Sequence, residues 1–117
     1  MKPRVYVAGK FEDASRVRIV QADLKDMGFE ISFDWTHDPE AGPTQAMNDY
    51  NGVMNADVVV CVFEKDYDYC GSLVEMGIAL GAGKPVFVLG NAPVTRRNIF
   101  MNHPNVFRGL SGLVGVR

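Results

Sequence analysis

Glu75 stands where a carboxylate can do chemistry. It lies in Gly71-Ser72-Leu73-Val74-Glu75, after a polar loop that follows the apolar run Ala56 to Phe63. That run reads as a buried strand, and the Gly-Ser pair as a helix start. A carboxylate in the first turn of such a helix sits above the carboxyl end of a sheet, where open α/β folds bind their ligands. The helix N-terminus favours the ionised form, and an ionised, oriented carboxylate can attack an electrophilic sugar carbon. Ser72-x-x-Glu75 is also the spacing of a capping box, in which Glu75 bonds back to the Ser72 backbone. The two readings are compatible, because a capping residue can still reach the crevice.

Other candidates surround this one. Asp49, in Asn48-Asp49-Tyr50-Asn51-Gly52-Val53, falls on a second helix, where its plain reading is a solvated side chain. Tyr6 is either core or a hydroxyl aimed at Glu75, and spacing leaves both open. Asp34, Trp35 and Phe11 sit on crevice loops, where aromatic rings can stack on a flat base or close the core. Asp57 opens a strand at the end of the sheet opposite the crevice, which makes it a local structural partner. Gly81-Ala82-Gly83-Lys84 is not a phosphate loop: it follows a helix rather than preceding one, and Pro85 replaces the required hydroxyl residue. It reads instead as a glycine-closed helix end. Gly9 to Asp13 lacks the glycines of a dinucleotide fingerprint. His37 and His103 have no metal-ligand spacing, so no metal or organic cofactor is expected.

The elements that would position these residues alternate along the chain. Strands are predicted over Arg4 to Ala8, Phe29 to Trp35, Asp57 to Glu64 and Pro85 to Leu89. Helices are predicted over a segment holding Val17, Val20, Leu24 and Met27, over Thr44 to Asn55 with Thr44 as cap, and over Ser72 to Ala82. Thr36 to Pro43 and Asn91 to Pro104 read as loops, and Asn105 to Arg117 as a short strand or irregular tail. This order predicts an α/β fold: one Rossmann-like or flavodoxin-like three-layer sandwich with a parallel sheet of four or five strands. Its crevice gathers Gly9 to Asp13, Asp34 to Asp38, Glu64 to Ser72 and the chain from Gly90 onward.

Composition narrows the class. The 117 residues make one domain, 1–117, with 47% apolar and 22% charged residues. A net charge of -2 offers no basic surface for nucleic acid. No apolar run approaches the roughly 18 residues of a membrane span. The N-terminus leads straight into strand-like sequence, with no room for a signal peptide. Cys61 and Cys70 make no disulfide framework, so a reduced cytoplasmic setting is expected.

Three segments together resemble the nucleoside 2-deoxyribosyltransferase family, which includes the related 2'-deoxynucleoside 5'-monophosphate N-glycosidases. Tyr6-Val7-Ala8-Gly9-Lys10-Phe11 is similar to its first strand and loop. Asn48-Asp49-Tyr50-Asn51-Gly52-Val53, followed by Ala56-Asp57, is similar to its Asn-Asp-x-x-Gly-Ile helix and next strand. Gly71 to Leu80 with Gly83-Lys84-Pro85-Val86 resembles its Gly-x-x-x-Glu-x-Gly-x-Ala helix and Gly-Lys-Pro-Val strand. The resemblance implies cleavage of an N-glycosidic bond, with transfer of the sugar to another base or to water. It casts Glu75 as the nucleophile, Asp49 as helper of the leaving base and Tyr6 as the residue orienting Glu75. Gly9, Lys10, Phe11, Asp34, Trp35, Asp68, Tyr69, Gly71 and Ser72 are the candidate substrate-binding residues. The family's transferases carry aspartate six residues before the glutamate, and its hydrolases serine; this chain carries Tyr69 there, beside Asp68. That departure motivates an alternative, a nucleotide-binding module without catalysis. The implied partner is a small nucleoside or nucleotide, and a homo-oligomer is expected.

Overall fold

The computed structural model describes residues 1–38 and 41–116. Five strands form one parallel sheet: β1 (Arg4–Ala8), β2 (Glu30–Ile31), β3 (Val58–Val62), β4 (Val86–Leu89) and β5 (Val106–Arg108). Their spatial order is β2-β1-β3-β4-β5, the flavodoxin-like doubly wound order, whose ligand crevice opens where β1 and β3 diverge. Every residue of β3 is buried, as a central strand covered on both faces requires. Register and the two-residue side-chain period put Tyr6, Ala8, Val59, Cys61 and Val88 on one face, and Val5, Val7, Val58, Val60 and Phe87 on the other.

Helices cover both faces. α1 (Ala14–Asp26) buries Val17, Val20 and Leu24 at helical spacing. It ends at Gly28, whose φ of 97° turns the chain back into β2. α2 (Pro43–Met54) and α3 (Cys70–Gly81) pack against each other on the Tyr6 face. Gly52 lets α2 approach closely, since a Cβ there would lie 2.9 Å from the Tyr6 ring. A short helix α4 (Val94–Arg97) and 3-10 turns at Phe11–Asp13, Ile99–Asn102 and Ser111–Gly115 complete the chain. Among the described residues, no helix is long and apolar enough to cross a membrane.

Several elements differ from their sequence expectation, each for a local reason. The second strand pairs only over Glu30–Ile31. Just beyond it the Ser32 N–H still donates to the Val5 carbonyl, and side chains hold the chain further: Ser32 Oγ donates to the Gly52 carbonyl and the Trp35 indole N–H to the Val7 carbonyl. α2 starts at Pro43, after Gly42 and without a Thr44 cap, using the fixed φ of proline at the first helical position. α3 starts at Cys70, two residues before Ser72. Segment 91–104, expected as loop, folds into α4 and the following 3-10 turn. Asp57 behaves as expected: its Oδ2 accepts from the Arg4 backbone N–H at 2.8 Å. At the end of α3, Gly83 takes φ 75° and Lys84 donates its ammonium to the Met54 and Ala56 carbonyls. The stretch therefore closes one helix and caps another. Of the Thr36 to Pro43 loop, positions 39–40 lie outside the described residues, as does Arg117.

Candidate active site

A cavity of about 400 Å³ opens beyond the carboxyl ends of β1 and β3. Gly9, Lys10, Phe11 and Glu12 of the first loop form one wall. Gln45 and Asp49 of α2 form a second, and Tyr69, Gly71, Ser72 and Glu75 a third, with Trp35 at the back. Gly9 is required here because a Cβ would fall 2.7 Å from Val17 of α1.

Glu75 is not a capping residue in this fold. Starting α3 at Cys70 moves Ser72 into the first turn, where it is buried, and the N-cap residue, Tyr69, makes no side-chain capping bond. Glu75 turns toward the sheet, and its Oε2 accepts a hydrogen bond from the Tyr6 hydroxyl at 2.7 Å. Tyr6 is fully buried, so its hydroxyl needs a partner, and the carboxylate supplies one.

Electrostatics follow from burial. Glu75 is pushed up to about 7: burial raises it most, the Tyr6 hydrogen bond lowers it, and the charge of Asp49 raises it again. Tyr6 is pushed far above its ordinary value by burial and by the neighbouring Glu75 carboxylate, so it stays a proton donor. Asp49 is also raised, by burial and then by Asp38. Two carboxyl groups in one cavity thus have their proton affinity raised, a pattern that clusters at functional sites. Beneath them on the same sheet face, Cys61 is wholly buried and its thiol is pushed up by that burial, which leaves it inert.

The remaining sequence candidates divide. Gly9, Lys10, Phe11, Trp35, Tyr69, Gly71 and Ser72 line the cavity with Asp49 and Glu75. Phe11 is half exposed, and its ring centroid lies 6.5 Å from that of Trp35. Tyr69 lines the wall with its backbone in the left-handed region, φ 55°. Its ring is held 4.6 Å from Phe63 and 5.6 Å from Tyr67, and its hydroxyl accepts from the Lys65 N–H. Such a conformation in a bulky residue is costly and persists only where packing over-determines it. Asp34 and Asp68 do not line the cavity. Asp34 Oδ1 accepts from the Thr36 N–H, the Thr36 hydroxyl and Gln21, which pins the loop and keeps the carboxyl below its usual range despite burial. Asp68 faces a neighbouring recess. Gln45 lines the cavity without having been singled out from sequence. The signal was available: it lies one helical turn before Asp49, on the same face.

A parallel α/β sandwich with a partly buried, tyrosine-bound carboxyl group above its switch point has the layout in which doubly wound folds bind small molecules. A family model for nucleoside 2-deoxyribosyltransferase matches residues 5–105, and the chain belongs to that family. Membership supports an activity at the N-glycosidic bond of a nucleoside or nucleotide, by transfer or hydrolysis. Among solved structures, the CMP N-glycosidase BcmB of Clostridium botulinum shares the fold, with a TM-score of 0.62 and 22% identity over 91% of this chain and 87% of that chain. A search of curated proteins finds no match.

Proposed function

We propose that the chain breaks the N-glycosidic bond of a nucleoside or nucleotide by a two-step displacement through Glu75. The carrying observation is that Tyr6 holds Glu75 Oε2 at 2.7 Å in the cavity that Asp49 also lines. With Oε2 held, Oε1 attacks the anomeric carbon. The C–N bond breaks, its electron pair leaves with the base, and Asp49 supplies the proton that base needs, directly or through water. Water or a second base then attacks the same carbon, the ester bond to Glu75 breaks and Glu75 departs as a carboxylate, and the proton lost by the nucleophile returns to Asp49, directly or through water. Two inversions give net retention. A value near 7 keeps part of Glu75 ionised at neutral pH, while burial keeps water from weakening its charge. Phe11 and Trp35 offer faces on which a base can stack, an interaction worth about 1–3 kcal/mol per base.

A panel of deoxynucleosides and deoxynucleotides, with and without an acceptor base, tests the activity by chromatography. Free base or exchanged nucleoside is expected from at least one of them, and none from Glu75→Ala. Intact-protein mass spectrometry should show a glycosyl adduct that is lost in Glu75→Ala; full activity in that variant would overturn the nucleophile. Tyr69 favours a second reading, because its hydroxyl is committed to Lys65 rather than offered to a ligand. A binding module would be stabilised thermally by nucleosides without turning any over.

A further inference from the structure

The charged groups around the cavity bear on which substrates it admits, granted the reading of this cavity as a nucleoside or nucleotide site. Glu12, Asp38, Asp49 and Glu75 line it, and Lys10 is the one cationic side chain among its described lining residues. Lys10 is already paired with carboxylates, with which a ligand must compete. Its ammonium lies 3.0 Å from Asp68 Oδ1 and 3.9 Å from Glu12 Oε2. The same Asp68 oxygen also accepts from the Cys70 backbone N–H, at 3.4 Å, where α3 begins. Arg97 lines a separate recess with Asp68, outside the cavity.

We propose that Asp68 is a specificity-determining residue that makes the site select the unphosphorylated nucleoside over its 5'-monophosphate. From outside the cavity its carboxylate engages Lys10 and a first-turn N–H of α3, two donors that a phosphate would otherwise use. A 5'-phosphate brings a charge of about -1.5 to -2 at neutral pH. It would enter a cavity lined by Glu12 and Asp38 and by the partly ionised Glu75, with its one ammonium already paired to Asp68. A neutral nucleoside meets no such penalty. The bond between Asp68 and Lys10 is solvent-accessible, with 66% of the Asp68 side chain exposed, so it acts through the local field and is sensitive to salt.

The test compares kcat/KM for 2'-deoxynucleosides and their 5'-monophosphates, base by base, in the wild type, Asp68→Asn and Asp68→Ser. The wild type should favour the nucleoside by about tenfold or more. Asp68→Asn and Asp68→Ser should narrow that ratio several-fold, through KM for the monophosphate rather than kcat. Raising the salt concentration should narrow it more in the wild type than in either variant, because the variants lack the exposed Asp68 charge but keep the carboxyl groups of the cavity. Equal or better use of the monophosphate by the wild type overturns the proposal, as does an unchanged ratio in both variants. If the wild type turns over neither member of any pair, the catalytic reading of Glu75 fails separately. Calorimetric Kd values for the same pairs then decide the proposal: tighter nucleoside binding upholds it, and tighter monophosphate binding overturns it.

Discussion

The Tyr6 hydroxyl donates to Glu75 Oε2 at 2.7 Å, joining a buried strand of the sheet to a helix 69 residues later in the chain. This bond is the one influence that lowers the Glu75 carboxyl against burial and the Asp49 charge. Tyr6→Phe removes it while keeping the ring that packs against Gly52. Glu75 then rises further, so the acidic limb of the kcat/KM profile moves to higher pH. A hydrogen bond to a charged group contributes about 1.5–3 kcal/mol, so activity on the plateau should fall about 10- to 100-fold. A pH profile of the purified variant measures both effects. An unmoved limb would show that Tyr6 does not act on Glu75.

How this pair relates to the sequence shows what a sequence can and cannot carry. Val58 to Val62 announce a central strand because every side chain is apolar, and the alternation of strands and helices implies the parallel sheet. Tyr6 beside Glu75 follows from the order β1-β3 and the register Tyr6↔Val59, which are properties of the assembled sheet. The Ser72-x-x-Glu75 spacing pointed to a cap. The left-handed turn at Tyr69, stabilised by Phe63 and Tyr67, starts α3 earlier and frees Glu75 for the sheet. By its place on a loop Asp34 reads as a crevice residue, but the donors around it, Thr36 and Gln21, hold its carboxyl group on an exposed face outside the cavity. Such choices depend on distant or competing partners, which local patterns do not record.

Asp49 tests the opposite side of the same carboxyl. Its charge raises Glu75, so Asp49→Asn should move the acidic limb to lower pH, against the direction of Tyr6→Phe. If Asp49 also protonates the leaving base, plateau activity falls about 10²- to 10⁴-fold, the usual contribution of a general acid. Substrates with better leaving bases should suffer less. A loss independent of the leaving base would remove Asp49 from proton transfer and leave it only an electrostatic role.

Two helical glycines should respond to alanine with opposite signs. A Cβ on Gly52 would lie 2.8 Å from the Phe33 Cβ and 2.9 Å from the Tyr6 ring. Neither is a flexible chain end, so α2 must shift, at about 1–3 kcal/mol, more than the gain of roughly 1 kcal/mol in helix propensity. Moving Tyr6 also loosens Glu75, so Gly52→Ala should lose activity as well as stability. Gly77, inside α3, is different: a Cβ there would meet nothing within 4 Å. Gly77→Ala should therefore stabilise by about 0.5–1 kcal/mol. Chemical denaturation of both variants beside the wild type checks the pair; a stabilised Gly52→Ala would mean that α2 can move away from Tyr6 at little cost.

The raised carboxyl of Glu75 ties stability to pH in a direction opposite to that of activity. Its ordinary value is 4.5, and in the folded chain it is about 7. Between these values the folded protein holds a proton that the unfolded chain has lost, so stability falls as pH rises through this window and levels off above it. The ionised form that attacks substrate grows over the same window. Glu75→Gln keeps an oxygen for the Tyr6 hydroxyl but cannot ionise, so it should lack this slope. Above pH 7 it should be more stable than the wild type by about 1–3 kcal/mol, while having no activity. Urea unfolding at a series of pH values gives the measurement. Parallel curves for the two proteins would mean that Glu75 titrates near its ordinary value, and that its burial costs the fold nothing.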